Sequence, residues 1–200
     1  MHVSKAVLGL TSVLALVLVA GCGQPTSTTT QTATTQTTTQ PALSGDAALI
    51  QSAMSAAPAA VGQDAMIMVM NADGTMRQLR DGHNGFTCIP DAPDTPGPDP
   101  MCADANAMEW VDAWVHHRTP PAGKVGFMYM LAGGADASNT DPYATAPTSG
   151  NHWVHTGPHV MILNAPSLLQ NYPHDADPDT SKPYVMWAGT PYQHLMAPIR

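Results

Sequence analysis

Apolar residues run almost unbroken from 6 to 20, vanish between 24 and 40, and return from residue 46 in short stretches of changing period. The returning part carries the fold. Leu49, Ile50 and Met54 sit at helical spacing in an alanine-rich stretch, which predicts a helix over 46–57 that stops before Pro58. Residues 65–70 read as a buried strand, Asn71-Ala72-Asp73-Gly74 as a turn, and 75–79 as the returning strand. A second turn over 81–85 leads into a strand at 86–89, so the pattern predicts a three-strand meander. Met108, Val111 and Val115 make one stripe with Trp110 and Trp114 beside it. That stripe predicts a helix over 104–117 with Asp104 as its N-cap. Further strands are expected at 125–131, 159–163 and 184–187, and a short helix at 166–172. The sum is an α+β class, with one domain over 42–200 built on an antiparallel sheet whose helices cover one face.

The first apolar run has a different meaning. It begins after Lys5 and is shorter than the roughly 20 apolar residues of a bilayer-spanning helix, with Pro25 and a polar tract close behind. It therefore reads as a signal peptide over 1–21. Val19-Ala20-Gly21-Cys22 resembles the lipobox of bacterial lipoproteins, although Val19 stands where leucine is commoner. The resemblance implies that Cys22 becomes the N-terminus and carries acyl chains of the palmitate kind. Each buried CH₂ contributes about 0.8 kcal/mol to membrane attachment, so several chains form a lasting anchor. Gly23 stands where the family's inner-membrane retention signal is an aspartate, which implies the periplasmic face of the outer membrane in a Gram-negative cell. Residues 22–41 are mostly Thr, Gln and Ser. They bury too little apolar surface to offset ordering entropy, and are expected to form a flexible tether.

Charge narrows the partners. The whole chain carries −8, and loss of Lys5 with the leader makes the remainder more acidic still. Nucleic acid and anionic lipid are therefore excluded as electrostatic partners, which leaves the lipid anchor as the membrane contact. Of the three cysteines, Cys88 and Cys102 remain once Cys22 is lipidated, and an oxidising envelope should pair them. The loop they close holds five prolines, and closing a loop of that length stabilises by about 3 kcal/mol in the chain-entropy picture.

Candidate chemistry is sparse. His152, His155 and His159 fall within eight residues, and three imidazoles suit zinc or copper with an open position, but only if a loop gathers them. Asp175, Asp177 and Asp179 alternate like the opening of a calcium loop, without the glycine and glutamate that complete one. Met66, Met68, Met70, Met128, Met130, Met161, Met186 and Met196 offer thioethers for Cu(I), or simply core volume. The stretch 132–143 is long, small and polar after a strand, so Asp136, Asn139 and Asp141 are candidates for a binding loop. His83, His116, His117 and His194 read as structural or solvated, while Trp153, Trp187 and Tyr192 would line any pocket near the histidine strand. Motifs of nucleophilic catalysis, such as G-x-S-x-G, S-x-x-K, H-E-x-x-H and a phosphate loop, are absent.

The segments 88–102, 135–143, 157–161, 184–192 and 194–196 resemble a set of uncharacterised bacterial secreted and lipoprotein sequences. That resemblance implies no activity. Two functional readings stay open. One is a non-catalytic envelope lipoprotein whose domain binds a protein or small-molecule partner. The other is a metal-binding protein or metal-dependent hydrolase that uses the three clustered histidines.

Overall fold

The computed structural model describes residues 44–199. The expected leader 1–21, the expected lipidation site Cys22 and the expected tether 22–41 lie outside the described residues. No helix among the described residues is long and apolar enough to cross a membrane.

Small side chains set the first contacts. Helix α1 (Asp46–Ser55) buries Ala53, and the helical turn α2 (Ala59–Gly62) follows Pro58, whose fixed φ suits the residue before a helix. Strands β1 (Met66–Met70) and β2 (Met76–Arg80) then pair antiparallel through the expected turn, in which Asp73 accepts hydrogen bonds from the Thr75 backbone and hydroxyl. The guanidinium of Arg80 reaches back to donate to the carbonyls of Gly62, at 2.6 Å, and Ala65, at 2.8 Å. It thereby ties the end of α2 to the start of β1.

Strand β3 (Phe86–Ile89) departs from the expected meander: it lies parallel to β1, on the side of β1 away from β2. The chain reaches that side by crossing the start of β1 at Gly82, where a Cβ would come within 1.9 Å of the Met66 nitrogen. Only glycine allows so close a backbone approach. Strand β4 (Met101–Asp104), hidden from sequence reasoning inside the proline loop, pairs antiparallel with β3. It places Cys102 directly opposite Cys88, with the two sulfurs at bonding distance.

Helix α3 (Ala105–Val115) and strand β5 (Gly126–Met130) come next, then the two-residue pair β6 (Ala137–Ser138) and β7 (Trp153–Val154). Strand β8 (His159–Leu163), helical turn α4 (Pro166–Leu169), β9 (Tyr184–Met186) and β10 (His194–Pro198) complete the chain. The main sheet is mixed and mostly antiparallel, with strand order β2-β1-β3-β4-β5-β8-β10-β9. The α+β class is as expected, but the helices do not share one face. Ile67, Cys88 and Cys102 pack against α1, and Val185 and Leu195 pack beside Leu169 of α4. Met128, Met161 and Met196 point the opposite way, toward Trp110 and Val111 of α3. Alternation along each strand sends apolar residues to both faces, so both need a cover.

Asp104 is the N-cap of α3, as the sequence indicates: one carboxylate oxygen accepts from the Ala107 amide at 2.8 Å, the other from the Phe127 amide at 3.1 Å. One side chain thus satisfies the helix start and the entry to β5. Asp104→Ala is expected to cost about 2 kcal/mol, read as a lower urea midpoint, with Asp104→Asn recovering roughly half. A midpoint unchanged by the alanine would remove the cap from the account.

Candidate functional site

The sheet face beneath α3 is paved in registered rows. Met128 on β5, Met161 on β8 and Met196 on β10 stand side by side as cross-strand partners. One two-residue step along the same face, β8 carries His159 opposite Met130. One step the other way, β10 carries His194 opposite Leu163 and opposite Met186 of β9. A row of thioethers is therefore bracketed by two imidazoles. Between this face and α3 lies a cavity of about 140 Å³, lined also by Trp110, Trp114 and Trp187.

Both imidazoles are buried, which favours their neutral forms. The His194 residue is 0% exposed, and burial pushes its pKa down to about 4, with the nearby His159 adding to the effect. Burial lowers His159 as well. Each Nδ1 lies against a backbone carbonyl, Tyr192 for His194 at 2.9 Å and Gly157 for His159 at 2.7 Å. A carbonyl only accepts, so each Nδ1 carries the proton and each Nε2 keeps a lone pair. Among the described residues the His194 Nε2 has no partner, and neither does the Trp110 indole N–H. A buried polar atom left unpaired costs about 1–3 kcal/mol, so His194 stores a penalty that an incoming group can relieve.

Aromatic rings hold His194 in place. It meets Trp110 edge-on at 5.4 Å and Trp187 at 5.0 Å between ring centroids. Trp187 adopts a left-handed backbone, φ 55°, a conformation that costs about 1–3 kcal/mol outside glycine. Its amide donates to the Asn139 carbonyl at 2.9 Å and its indole N–H to the Ser138 carbonyl at 2.8 Å. The β6 segment therefore fixes the ring that flanks His194. At the other end Gly134 lies so close to His159 that a Cβ there would fall 2.7 Å from the ring Cε1 and 2.3 Å from the Thr156 hydroxyl.

Of the three clustered histidines, the structure brings only His159 to this cavity. His152 Nδ1 lies 2.9 Å from an Asp177 oxygen and His155 Nδ1 lies 2.5 Å from Asp136, each on a more open part of the surface. Among the described residues no group of three or more His, Cys, Asp or Glu side chains is placed to hold a metal ion. Within the candidate calcium stretch, Asp177 faces His152 and Asp179 pairs with Lys182.

The candidate binding loop contributes its backbone more than its polar side chains. Gly134, Ala135 and Ala137 line the cavity. Asp136 faces His155, and Asp141 accepts from the Tyr143 amide. Asn139 is buried and donates to the carbonyls of Asp175 and Ala176. Trp187 lines the cavity, and Tyr192 packs beside it as an edge-on partner of Trp110.

His194 is the residue that sequence reasoning set aside. A signal existed, since His194 and Met196 alternate with Leu195 and Ala197, and the same two-residue step links His159 to Met161 and Tyr184 to Met186. Counting neutral histidine as apolar would have exposed β10. Searches against protein-family models, curated proteins and solved structures return no match to this chain.

Proposed function

We propose that this chain is a bacterial lipoprotein, anchored through Cys22 on the extracytoplasmic side, whose tethered domain binds a ligand in the cavity beneath α3. In a Gram-negative cell it faces the periplasm from the outer membrane, with lipid as the membrane contact. The binding role is non-catalytic. The observation that carries it is His194: an imidazole wholly buried, its proton committed to Tyr192 and its Nε2 facing no protein partner in a cavity wall. Such an atom calls for a ligand that offers a hydrogen-bond donor or a Lewis acid. A cavity of about 140 Å³ compares with the roughly 150 Å³ that admits benzene, so the occupant is small. Thioethers and indoles supply the remaining contacts through polarisable surface.

Methyl-labelled methionine tests this directly, because the cavity methionines can be told from Met54, Met66 and Met68, which do not line it. Small probes that offer an O–H, an N–H or a metal Lewis acid are expected to shift Met128, Met161, Met186 and Met196 and to leave those three in place. Cavity methyls that ignore every probe class would mark the space as closed core and end the reading. The anchor has its own check: Cys22→Ala should move the protein from the membrane pellet to the soluble fraction, and a variant that stays pelleted overturns the lipoprotein assignment.

A further inference from the structure

We propose that the ligand of this cavity is a Cu(I) ion, held by the His194 Nε2 atom together with the thioethers of Met186, directly opposite it, and of the Met161-Met196 pair one step along the same face. This rests on the binding reading and names the ligand class of the same site.

Four observations converge. The register sets Met186 directly opposite His194, and Met196, two residues along the same strand face, beside Met161. Six methionines line the cavity: Met101, Met128, Met130, Met161, Met186 and Met196. Thioether sulfur is a soft donor that favours Cu(I), and it binds Zn²⁺ or Ca²⁺ poorly. The His194 imidazole is anchored through Nδ1–H to the Tyr192 carbonyl, the outer-sphere arrangement that fixes a metal-binding histidine with its Nε2 free.

Competing donor sets are missing where they would matter. Harder cations need thiolates, carboxylates or a third imidazole, and no such group of three exists among the described residues. Asp99 is the one carboxylate on the cavity wall. Methionine arms are unbranched and flexible, which lets the sulfurs close around an ion smaller than the cavity.

The test uses the full-length lipoprotein in detergent, its disulfide intact, titrated anaerobically with Cu(I) against a colorimetric Cu(I) chelator. One equivalent is expected to bind, with nitrogen and sulfur neighbours in X-ray absorption, movement of the cavity methionine methyls, and no comparable response to Zn²⁺. The volume-conserving pair Met161→Leu with Met196→Leu should weaken Cu(I) by at least roughly 100-fold. Met66→Leu with Met68→Leu, outside the cavity, should leave the Cu(I) affinity unchanged. Organic probes that move the cavity methyls while Cu(I) does not would overturn the copper assignment and leave the binding reading standing. Cu(I) bound through nitrogen and oxygen alone, or an affinity indifferent to the cavity methionines, would also overturn it. Silence from every probe removes both.

Discussion

Replacing Gly82 by alanine should destabilise the domain by more than about 3 kcal/mol, the largest effect expected of any single methyl addition in the fold. The added carbon would sit 1.9 Å from the Met66 nitrogen and 2.3 Å from the Ala65 carbonyl carbon, both backbone atoms that no rotamer change can clear. The neighbouring residues are held as well, since the His83 amide donates to the Asp64 carbonyl at 2.8 Å across the same crossing. Gly85→Ala is the control. Its φ of 80° is left-handed, but nothing lies within 4 Å of the new carbon, so it should cost only about 1 kcal/mol. Urea unfolding of the two variants gives the comparison. Equal losses would mean that the chain does not cross β1 there, and the parallel pairing of β1 with β3 would fall with it.

That crossing also shows where sequence reasoning stops. Residues 65–70, 75–79 and 86–89 were legible as strands because each alternates or runs apolar between turn residues. Their order in the sheet was not. A glycine in a turn signals chain reversal whether the next strand returns to its neighbour or passes under it, and the decisive contact joins Gly82 to Ala65 and Met66, well upstream in the chain. Strand β4 was missed for a related reason: Pro98 and Pro100 immediately precede it, and the hydrogen bonds that make it a strand come from β3 and β5.

The cavity was half legible. His159 was singled out, but for its nearness in sequence to His152 and His155, whereas the structure groups it through the sheet with residues of β5, β9 and β10. On neighbouring registered strands, i and i+2 share a face. The two-residue steps from His159 to Met161 and from His194 to Met196 are therefore the informative spacing. The short interval from His152 to His159 crosses Gly157 and Pro158, which turn the chain. Met66 and Met68, grouped with the other methionines by composition, belong to the far end of the sheet, on β1, and do not line the cavity. Only Met128, Met130, Met161, Met186 and Met196 of that group face it, joined there by Met101.

The domain should lose stability in mild acid, from about pH 6.5 down toward pH 4. His194 has a folded pKa of about 4 against an ordinary 6.5 because burial penalises the imidazolium. The unfolded chain therefore takes up the proton first as pH falls. Stability is fully present above about 6.5 and is drained until the folded pKa is reached, at about 1.4 kcal/mol per pH unit for one group, or about 3 kcal/mol in all. His159 is lowered too and adds in the same direction. The depressed carboxyls of Asp46, Asp73 and Asp179 begin to act near pH 5, as the unfolded chain takes up its first carboxyl protons, so the histidine contribution is read between about pH 6.5 and pH 5. Urea midpoints across this range should fall steadily, and proton NMR should find the His194 ring neutral well below pH 6. His194→Gln, which cannot titrate, should flatten the slope by about one proton even if it starts from lower stability. A His194 ring that titrates near 6.5 would mean that water and protons reach Nε2 freely, and the buried, unpartnered lone pair on which the binding site depends would not exist.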